Sequence, residues 1–255
     1  MANRQTCCNL FVSILLLLGN LSWVAAQNKA KQGQLIIELK HIANNQPLQL
    51  QQTYQNNLSQ TYRLTKFKYY ISNLAFENLQ TKKVYKKQVW LVDQQDSNTL
   101  SIRLSLPVGT YNHLQALLGV DSAKNCSGVQ TGALDPLNDM FWTWNSGYIL
   151  EKLEGYADSS SAFNNKIEYH LGGFRSPYVA MQTINLNLPR SGIKIDANST
   201  TRLQVEMNLD LFWAYSSIDF KEIPVCAQPG KNAVLFSLAF AKMINASKIN
   251  LIQQP

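Results

Sequence analysis

Apolar and polar residues alternate along several segments of this chain, and this period of two constrains the fold more than any other feature. In residues 203–211 every odd-numbered residue is apolar, and the even-numbered residues are Gln, Glu, Asn and Asp. Successive side chains of a β-strand point to opposite faces of a sheet, so such a strand has one buried and one solvated face. The same alternation predicts strands at residues 35–41, 100–106 and 184–188.

Residues 89–92 and 114–120 are apolar on both faces and predict central strands that are covered on both sides, and residues 67–76, rich in aromatic and β-branched residues, predict another strand. Residues 233–244 are long enough for a helix, although a buried strand fits their near-continuous apolar character as well. At least eight strands with one or two helices are typical of a β-sandwich. We therefore predict an all-β fold, an antiparallel β-sandwich with long loops and one or two short helices, as a single domain over residues 27–255.

The first 26 residues have the features of a cleaved signal peptide. Arg4 supplies a positive start, residues 10–18 are apolar except for Ser13, and Val24, Ala25 and Ala26 are small residues suited to cleavage. The apolar run is too short for a permanent membrane anchor, and no later segment is long and apolar enough to be a membrane helix. We expect a periplasmic, cell-surface or secreted protein with no integral membrane segment after cleavage.

Charge and cysteine content narrow the function classes. The net charge is +7, but the lysines are scattered and form no Arg-rich stripe, so we expect no nucleic-acid partner. Cys126 and Cys226 remain after cleavage, and an even pair in an exported chain predicts a disulfide between them. A pair of thiolate copper ligands is the alternative.

The segment at residues 119–155 is the most unusual part of the sequence. It is dense in Gly, Asp, Asn and aromatic residues, and it contains Met140, Phe141, Trp142 and Trp144. A long connection of this composition is usually a functional loop on a rigid framework. Its acidic and amide side chains either cap turns, which we favour, or bind calcium; they are Asp121, Asn125, Asp135 and Asp139.

Six short words of the sequence stand out as a set: Tyr69-Tyr70-Ile71-Ser72-Asn73-Leu74, Gly119-Val120-Asp121-Ser122, residues 132–136, residues 140–148, Leu153-Glu154-Gly155 and His170-Leu171-Gly172-Gly173-Phe174. In these words the chain resembles the MbnP-like family of bacterial copper-binding proteins. His41 also falls where the family pattern has a histidine. The likeness covers roughly residues 35–215, nearly the whole mature chain. The chain departs from the pattern at Asp139, where a glycine is common, and in Cys126 and Cys226.

The resemblance implies that the chain binds one copper ion, Cu(I) or Cu(II), outside the cytoplasm through histidine imidazoles. In some relatives a tryptophan oxidised to kynurenine joins the site, and a partner di-haem cytochrome of the peroxidase type is encoded alongside. The candidates for that modification here are Trp142 and Trp144.

Three histidines are available, and two of them match family words. Imidazole nitrogens suit copper, so we predict His41 and His170 as its ligands, and Met140 could add a thioether. Trp142 or Trp144 would lie nearby, although Met140 and these tryptophans also fit a packed aromatic plug under the loop. His113 matches no family word, and we predict a surface or turn position for it.

The sequence has no Gly-x-Ser-x-Gly elbow, phosphate loop, HExxH helix or dinucleotide fingerprint, and we predict that the chain is not an enzyme. Glu151 and Glu154 could be paired carboxylates, but Glu154 lies in a family word and is predicted to anchor a turn. Copper capture, storage or delivery is the first functional hypothesis. The alternatives are a non-metal interaction module with an aromatic loop and an accessory protein oxidised by a di-haem cytochrome peroxidase.

Overall fold

A computed structural model describes residues 31–78, 83–143 and 146–252. The predicted signal peptide and Trp144 lie outside the described residues. From Lys31 onward the chain forms one compact unit. In the part of the chain that the structure describes, no helix is long and apolar enough to cross a membrane.

Strands dominate the described chain, together with three α-helices and four short 3-10 helices. In chain order the strands and α-helices are β1 (Gln32–Ala43), β2 (Gln46–Pro47), β3 (Thr53–Gln55), β4 (Thr61–Asn78), β5 (Val84–Asp93), β6 (Ser101–Pro107), β7 (Gly109–Leu118), α1 (Ser122–Cys126), β8 (Phe141–Thr143), β9 (Gly147–Ala157), β10 (Lys166–Gly172), β11 (Phe174–Arg175), β12 (Tyr178–Val179), β13 (Gln182–Leu186), β14 (Ile193–Ile195), β15 (Thr200–Asn208), α2 (Leu209–Ser216), β16 (Val225–Cys226), α3 (Lys231–Asn245) and β17 (Lys248–Ile252). The 3-10 helices are Ser97–Leu100, Gly132–Leu134, Pro136–Asn138 and Phe163–Asn165.

The strands form two main sheets. The smaller sheet has the order β17-β15-β1-β2, with β6 also paired to β1, and the larger has the order β13-β7-β4-β9-β10-β16 with β3, β5, β8 and β14 attached. Most neighbours are antiparallel, but β1 pairs with β15 and β10 pairs with β16 in parallel. The predicted all-β sandwich is confirmed, and its sheets are mixed rather than purely antiparallel.

One apolar core joins the two sheets and the helices. Leu35, Ile37 and Leu39 of β1 are buried in it, as the alternation predicts. Phe240 of α3 stacks on Phe67 of β4, with ring centroids 5.8 Å apart. Residues 233–244 therefore belong to a helix, which is one of the two structures that their apolar character allowed. The helix covers the inner face of the larger sheet, and residues 67–72 of β4 are buried on both faces because a second apolar cluster covers the outer face there.

The strand predicted for residues 203–211 ends earlier than the alternation suggests. It stops at Asn208, and α2 begins at Leu209. The Asn208 side chain accepts a hydrogen bond from the backbone N–H of Asp210 at 2.9 Å, which is the pattern of a helix N-cap. This local hydrogen bond overrides the period of two, so the prediction of strand at Leu209 and Leu211 is wrong.

The predicted disulfide is also absent. Cys126 is an exposed free cysteine at the end of α1, and Cys226 is a buried free cysteine in β16. Burial raises the pKa of the Cys226 thiol to about 11, so this thiol is protonated at neutral pH and is a poor metal ligand. Neither the disulfide nor the alternative of a thiolate copper pair fits this arrangement.

Candidate metal site

Hydrogen bonds join the two family segments at residues 69–74 and 119–122 and hold the start of the long loop. Ser72 donates a hydrogen bond to the carbonyl oxygen of Gly119 at 2.8 Å, and the Asn73 amide donates to Asp121 at 3.2 Å. Asp121 also accepts from the backbone N–H of Lys124 and so caps α1. Asp135 caps the 3-10 helix Pro136–Asn138 in the same way, by accepting from the backbone N–H of Leu137. These contacts support the capping interpretation of the loop's acidic residues over a calcium site.

The aromatic segment of the loop packs on the outer face of the larger sheet. Met140 is fully buried in a second apolar cluster with Tyr70 and Tyr148, which is the predicted plug. Phe141 packs on the Tyr148 ring at 4.9 Å between centroids. Met140 is thus surrounded by apolar side chains, and its thioether has a packing role in this arrangement.

The Trp142 ring lies over Gly172, which is two residues after His170 in the chain. A Cβ atom at Gly172 would lie 2.7 Å from Cζ3 of the Trp142 ring and 2.9 Å from the carbonyl oxygen of Tyr148. The Gly-Gly pair in the His170 family word therefore lets the indole approach the backbone closely. The structure brings Trp142 and this end of β10 together.

Substituting Gly172 by Ala should displace the Trp142 ring. The tyrosine carbonyl belongs to β9 and cannot retreat easily, so we expect a loss of about 1–3 kcal/mol in unfolding free energy, as is typical of overpacking. Indole fluorescence and denaturant unfolding would measure the change. Gly230→Ala is the matched control, because a Cβ there meets nothing within 4 Å. An unchanged Gly172→Ala protein would contradict the close contact.

His170 lies on the outer face of β10 and is paired with a carboxylate of β9. Its Nε2 atom is 2.8 Å from Oε1 of Glu154, and its Nδ1 atom is 3.7 Å from Oε1 of Glu168. The hydrogen bond from His170 is the largest cause that lowers the pKa of Glu154 to about 2, so Glu154 is ionised and accepts the Nε2 proton. In the neutral imidazole, the lone pair is then on Nδ1.

Two lysines connect this pair to the loop. Lys66 Nζ lies 2.6 Å from Oδ2 of Asp139 and 3.3 Å from Oε2 of Glu154. Lys152 Nζ lies 2.9 Å from the same Asp139 oxygen and 3.6 Å from Oε1 of Glu154. Burial opposes ionisation of Asp139, but hydrogen bonds from Lys66 and Lys152 outweigh it and lower the pKa of Asp139 to about 2. The outer-face site therefore combines His170 with a compact ionic network.

His41 occupies a different environment, inside the core. Its Nδ1 lies 2.7 Å from Oε1 of Gln94, and its Nε2 lies 2.8 Å from the Tyr69 hydroxyl. The Gln94 amide nitrogen donates to the carbonyl oxygen of Leu48, so the Gln94 oxygen accepts from Nδ1–H and Tyr69 donates to Nε2. Burial lowers the pKa of His41 to about 4, which keeps the ring neutral. Both ring nitrogens of His41 are thus already satisfied.

The two predicted imidazole ligands face opposite sides of the larger sheet. His41 contacts the rings of Phe67 and Tyr69, which point from β4 into the core. His170 binds Glu154, whose register partner on β4 is Lys66, on the other face. The structure therefore does not bring His41 and His170 together. One ion bridging both imidazoles, as the sequence analysis predicts, does not fit this geometry.

Other sequence candidates lie elsewhere. His113 faces Glu77 across the β7–β4 pairing, away from the outer-face site. Glu154 lies within β9 and not at the predicted turn, and Glu151 points to the opposite face of the same strand. Within residues 31–78, 83–143 and 146–252, no group of three His, Cys, Asp or Glu side chains is placed to hold a metal ion. The described donors are therefore an incomplete set.

Sequence reasoning missed the carboxylate that orients His170 and the lysines around it. Lys66 and Lys68 alternate on β4, and Lys152 and Glu154 alternate on β9. Polar residues at every second position of two otherwise apolar strands were the sequence signal for this network. Two such polar stripes on adjacent strands indicate a shared polar face of the sheet.

Comparisons with known proteins agree with the fold. A structure of MbnP from Methylosinus trichosporium superposes with a TM-score of 0.57 and 14% sequence identity, covering 80% of this chain and 87% of that one. At this identity the likeness shows the fold alone. No curated protein sequence matches the chain. The sequence model of the MbnP family matches residues 32–228, which is most of the chain, and the protein therefore belongs to the MbnP family.

Proposed function

We propose that this protein binds a copper ion outside the cytoplasm and captures, stores or delivers it, with His170 as the imidazole ligand. Membership of the MbnP family supports a role related to copper handling, and the sequence resemblance implies histidine ligands. The leader-like first 26 residues support export. The copper ion is cargo in this proposal, and the chain's own residues supply its binding site.

The hydrogen bond between His170 and Glu154 is the observation that carries the proposal. Histidine ligands of metals commonly donate their second ring N–H to a carboxylate, which fixes the tautomer and the ring orientation and makes the free nitrogen more basic. Glu154 does this at 2.8 Å through Nε2, so Nδ1 is the nitrogen available to a metal. Imidazole is a suitable donor for both common oxidation states of copper.

The neighbours of Nδ1 suggest how the donor set is completed. Glu168 places Oε1 3.7 Å from Nδ1, a separation that two ligands of one ion at about 2.0–2.2 Å can have. Glu168 also forms an ion pair with Lys166, which a cation would have to compete with. Trp142 lies over Gly172. Oxidation of Trp142 or of Trp144 to kynurenine would add an amine or carbonyl donor from the loop.

The proposal predicts that copper binding depends on His170 and not on His113. Titration of the metal-free protein with copper should show near one-to-one binding, and His170→Ala should weaken it by more than about 100-fold because the imidazole donor is lost. Glu154→Gln should weaken it by about 10–100-fold, the usual effect of losing an orienting carboxylate. His113→Ala is the matched control and should bind like the wild type. Wild-type affinity in His170→Ala would contradict the proposal.

The tryptophan modification is tested separately by mass spectrometry of native protein. Conversion to kynurenine adds one oxygen atom and removes one carbon atom from the residue, and peptides containing Trp142 and Trp144 can be distinguished by fragmentation. We expect the modified residue on the aromatic segment in material from the native host, where the family resemblance implies an oxidising di-haem partner. Unmodified Trp142 and Trp144 in that material would remove kynurenine from the donor set, although His170 would remain.

A further inference from the structure

Asp139 joins the aromatic loop to both lysines of the outer-face site. One of its oxygen atoms, Oδ2, lies 2.6 Å from Nζ of Lys66 and 2.9 Å from Nζ of Lys152. Both ammonium groups also lie within 3.6 Å of Glu154, the carboxylate that holds His170. The two lysines thus contact both Asp139 of the loop and Glu154, the carboxylate that orients the proposed ligand His170.

Charge balance in this network depends on Asp139. Two ammonium groups face Glu154, and Asp139 supplies the second carboxylate that makes the group neutral. The Lys152 side chain is only 2% exposed, so solvent screens its charge poorly and it cannot swing away from β9 into water. Without Asp139, both positive charges would bear on Glu154 and on any cation next to His170.

Asp139 ends the 3-10 helix Pro136–Asn138 in a backbone conformation that non-glycine residues adopt at some cost. Its φ angle is 61°, in the left-handed region, where glycine is most easily accommodated and aspartate less so. This charged side chain lies immediately before Met140 and three residues before Trp142. The ion pairs with Lys66 and Lys152 offset the unfavourable conformation.

We infer that Asp139 is an electrostatic latch, which fastens the aromatic loop to the sheet and neutralises Lys66 and Lys152 so that His170 and Glu154 can accept a cation. This inference rests on the proposed function, because it assumes that the cation binds at His170. It makes the loop position and the metal affinity interdependent. A displaced loop would carry Asp139 away from the lysines and leave their positive charge beside the ligand, which lowers the affinity for the ion.

The experiment measures copper affinity in charge variants of the latch. Asp139→Asn keeps the size of the side chain and removes its charge, so we expect copper binding to weaken by about threefold or more, since one carboxylate charge beside two ammonium groups is lost and solvent screens the 56% exposed Asp139 only in part. Adding Lys66→Gln to Asp139→Asn should restore most of the affinity, because it removes one ammonium group. Asp196→Asn is the matched control, since Asp196 is exposed and pairs only with Lys194 in the described structure.

A measurement without metal tests the mechanical part of the latch. Backbone amides of residues 140–143 and 146–149 should exchange with deuterium several-fold faster in Asp139→Asn than in the wild type or in Asp196→Asn. Unchanged exchange and unchanged copper affinity in Asp139→Asn, with His170→Ala still defective, would overturn the latch alone. Failure of Lys66→Gln to restore affinity would overturn charge balancing. Wild-type binding in His170→Ala would overturn the proposed function and the latch's effect on the metal with it.

Discussion

Replacing Glu151 by Gln should stabilise the protein, and the gain should increase with pH. Glu151 is fully buried on the inner face of β9, where Oε2 accepts a hydrogen bond from Ser237 of α3 at 3.0 Å. No described group is bonded to Oε1. Burial is the main cause that raises the pKa of Glu151 from 4.5 to about 8, because the core disfavours the charged carboxylate.

The direction of this pH dependence follows from which state, folded or unfolded, binds the Glu151 proton more tightly. The folded state holds the Glu151 proton up to about pH 8, whereas the unfolded chain releases it near pH 4.5. Stability is therefore highest below pH 4.5 with respect to this group, and it falls as the pH rises towards 8. With about 1.4 kcal/mol for each pKa unit, burial of Glu151 lowers the unfolding free energy by about 3 kcal/mol at pH 7, relative to acidic pH. Above pH 8 this decrease approaches about 5 kcal/mol.

Glutamine removes this ionisation and keeps the shape and the acceptor for Ser237. Denaturant unfolding of both proteins should give equal free energies near pH 4.5 and a growing advantage of Glu151→Gln up to about pH 8. Glu222→Gln, at an exposed position, is the control and should change the unfolding free energy by less than about 0.5 kcal/mol. A difference between Glu151→Gln and wild type that does not depend on pH would refute the buried ionisation.

The period-two pattern predicts the strands of this fold well wherever one face is wet. Residues 35–41, 100–106 and 184–188 overlap β1, β6 and β13, because alternating burial leaves a clear sequence signal. The pattern fails at Leu209, where an asparagine cap begins a helix. Leu209, Phe212 and Trp213 are buried at helical spacing, so a second period was present and the local cap decided between them.

The site was only partly predictable from the sequence. The odd or even position of a residue along its strand predicts which face of the sheet its side chain occupies, but not which side chains surround it. His41 shares its parity with the buried Ile37 and Leu39, so a core position follows from the sequence. His170 has the opposite parity to Tyr169 and Leu171, which are buried, and therefore points to the outer face. Which outer-face residues surround it depends on the register of β4, β9 and β10. Pairing between strands far apart in the chain leaves no local signal, so the sequence could indicate that these polar residues face outward but not which of them form ion pairs.

Replacing His41 by Ala should destabilise the protein strongly. The substitution opens a cavity, leaves the half-buried Gln94 oxygen without the ring N–H at 2.7 Å, and leaves the buried Tyr69 hydroxyl, which is 2.8 Å from the ring, with only the weak acceptor Sδ of Met207 at 3.6 Å. A buried polar group left unsatisfied costs about 1–3 kcal/mol, and the cavity adds to this, so we expect a total loss of about 3–5 kcal/mol near neutral pH. Denaturant unfolding measures it, with His113→Ala as the control.

The cost of His41→Ala should shrink in acid. Burial lowers the pKa of His41 from 6.5 to about 4, so the unfolded chain takes up the proton first and wild-type stability falls as the pH drops through this range. The fall amounts to about 3 kcal/mol, and the alanine variant lacks it. Glu151 changes stability in the opposite direction above pH 4.5, so the comparison is cleanest in a Glu151→Gln background.

The same variant separates a structural histidine from a copper ligand. Copper at Nε2 of His41 would have to displace the Tyr69 hydroxyl from a fully packed interior, whereas His170 faces outward beside Glu154. We expect His41→Ala, measured at a temperature where it is folded, to bind copper within about threefold of the wild type, a difference of less than 1 kcal/mol. An unfolding free energy within about 0.5 kcal/mol of wild type together with lost copper binding would reverse the two roles.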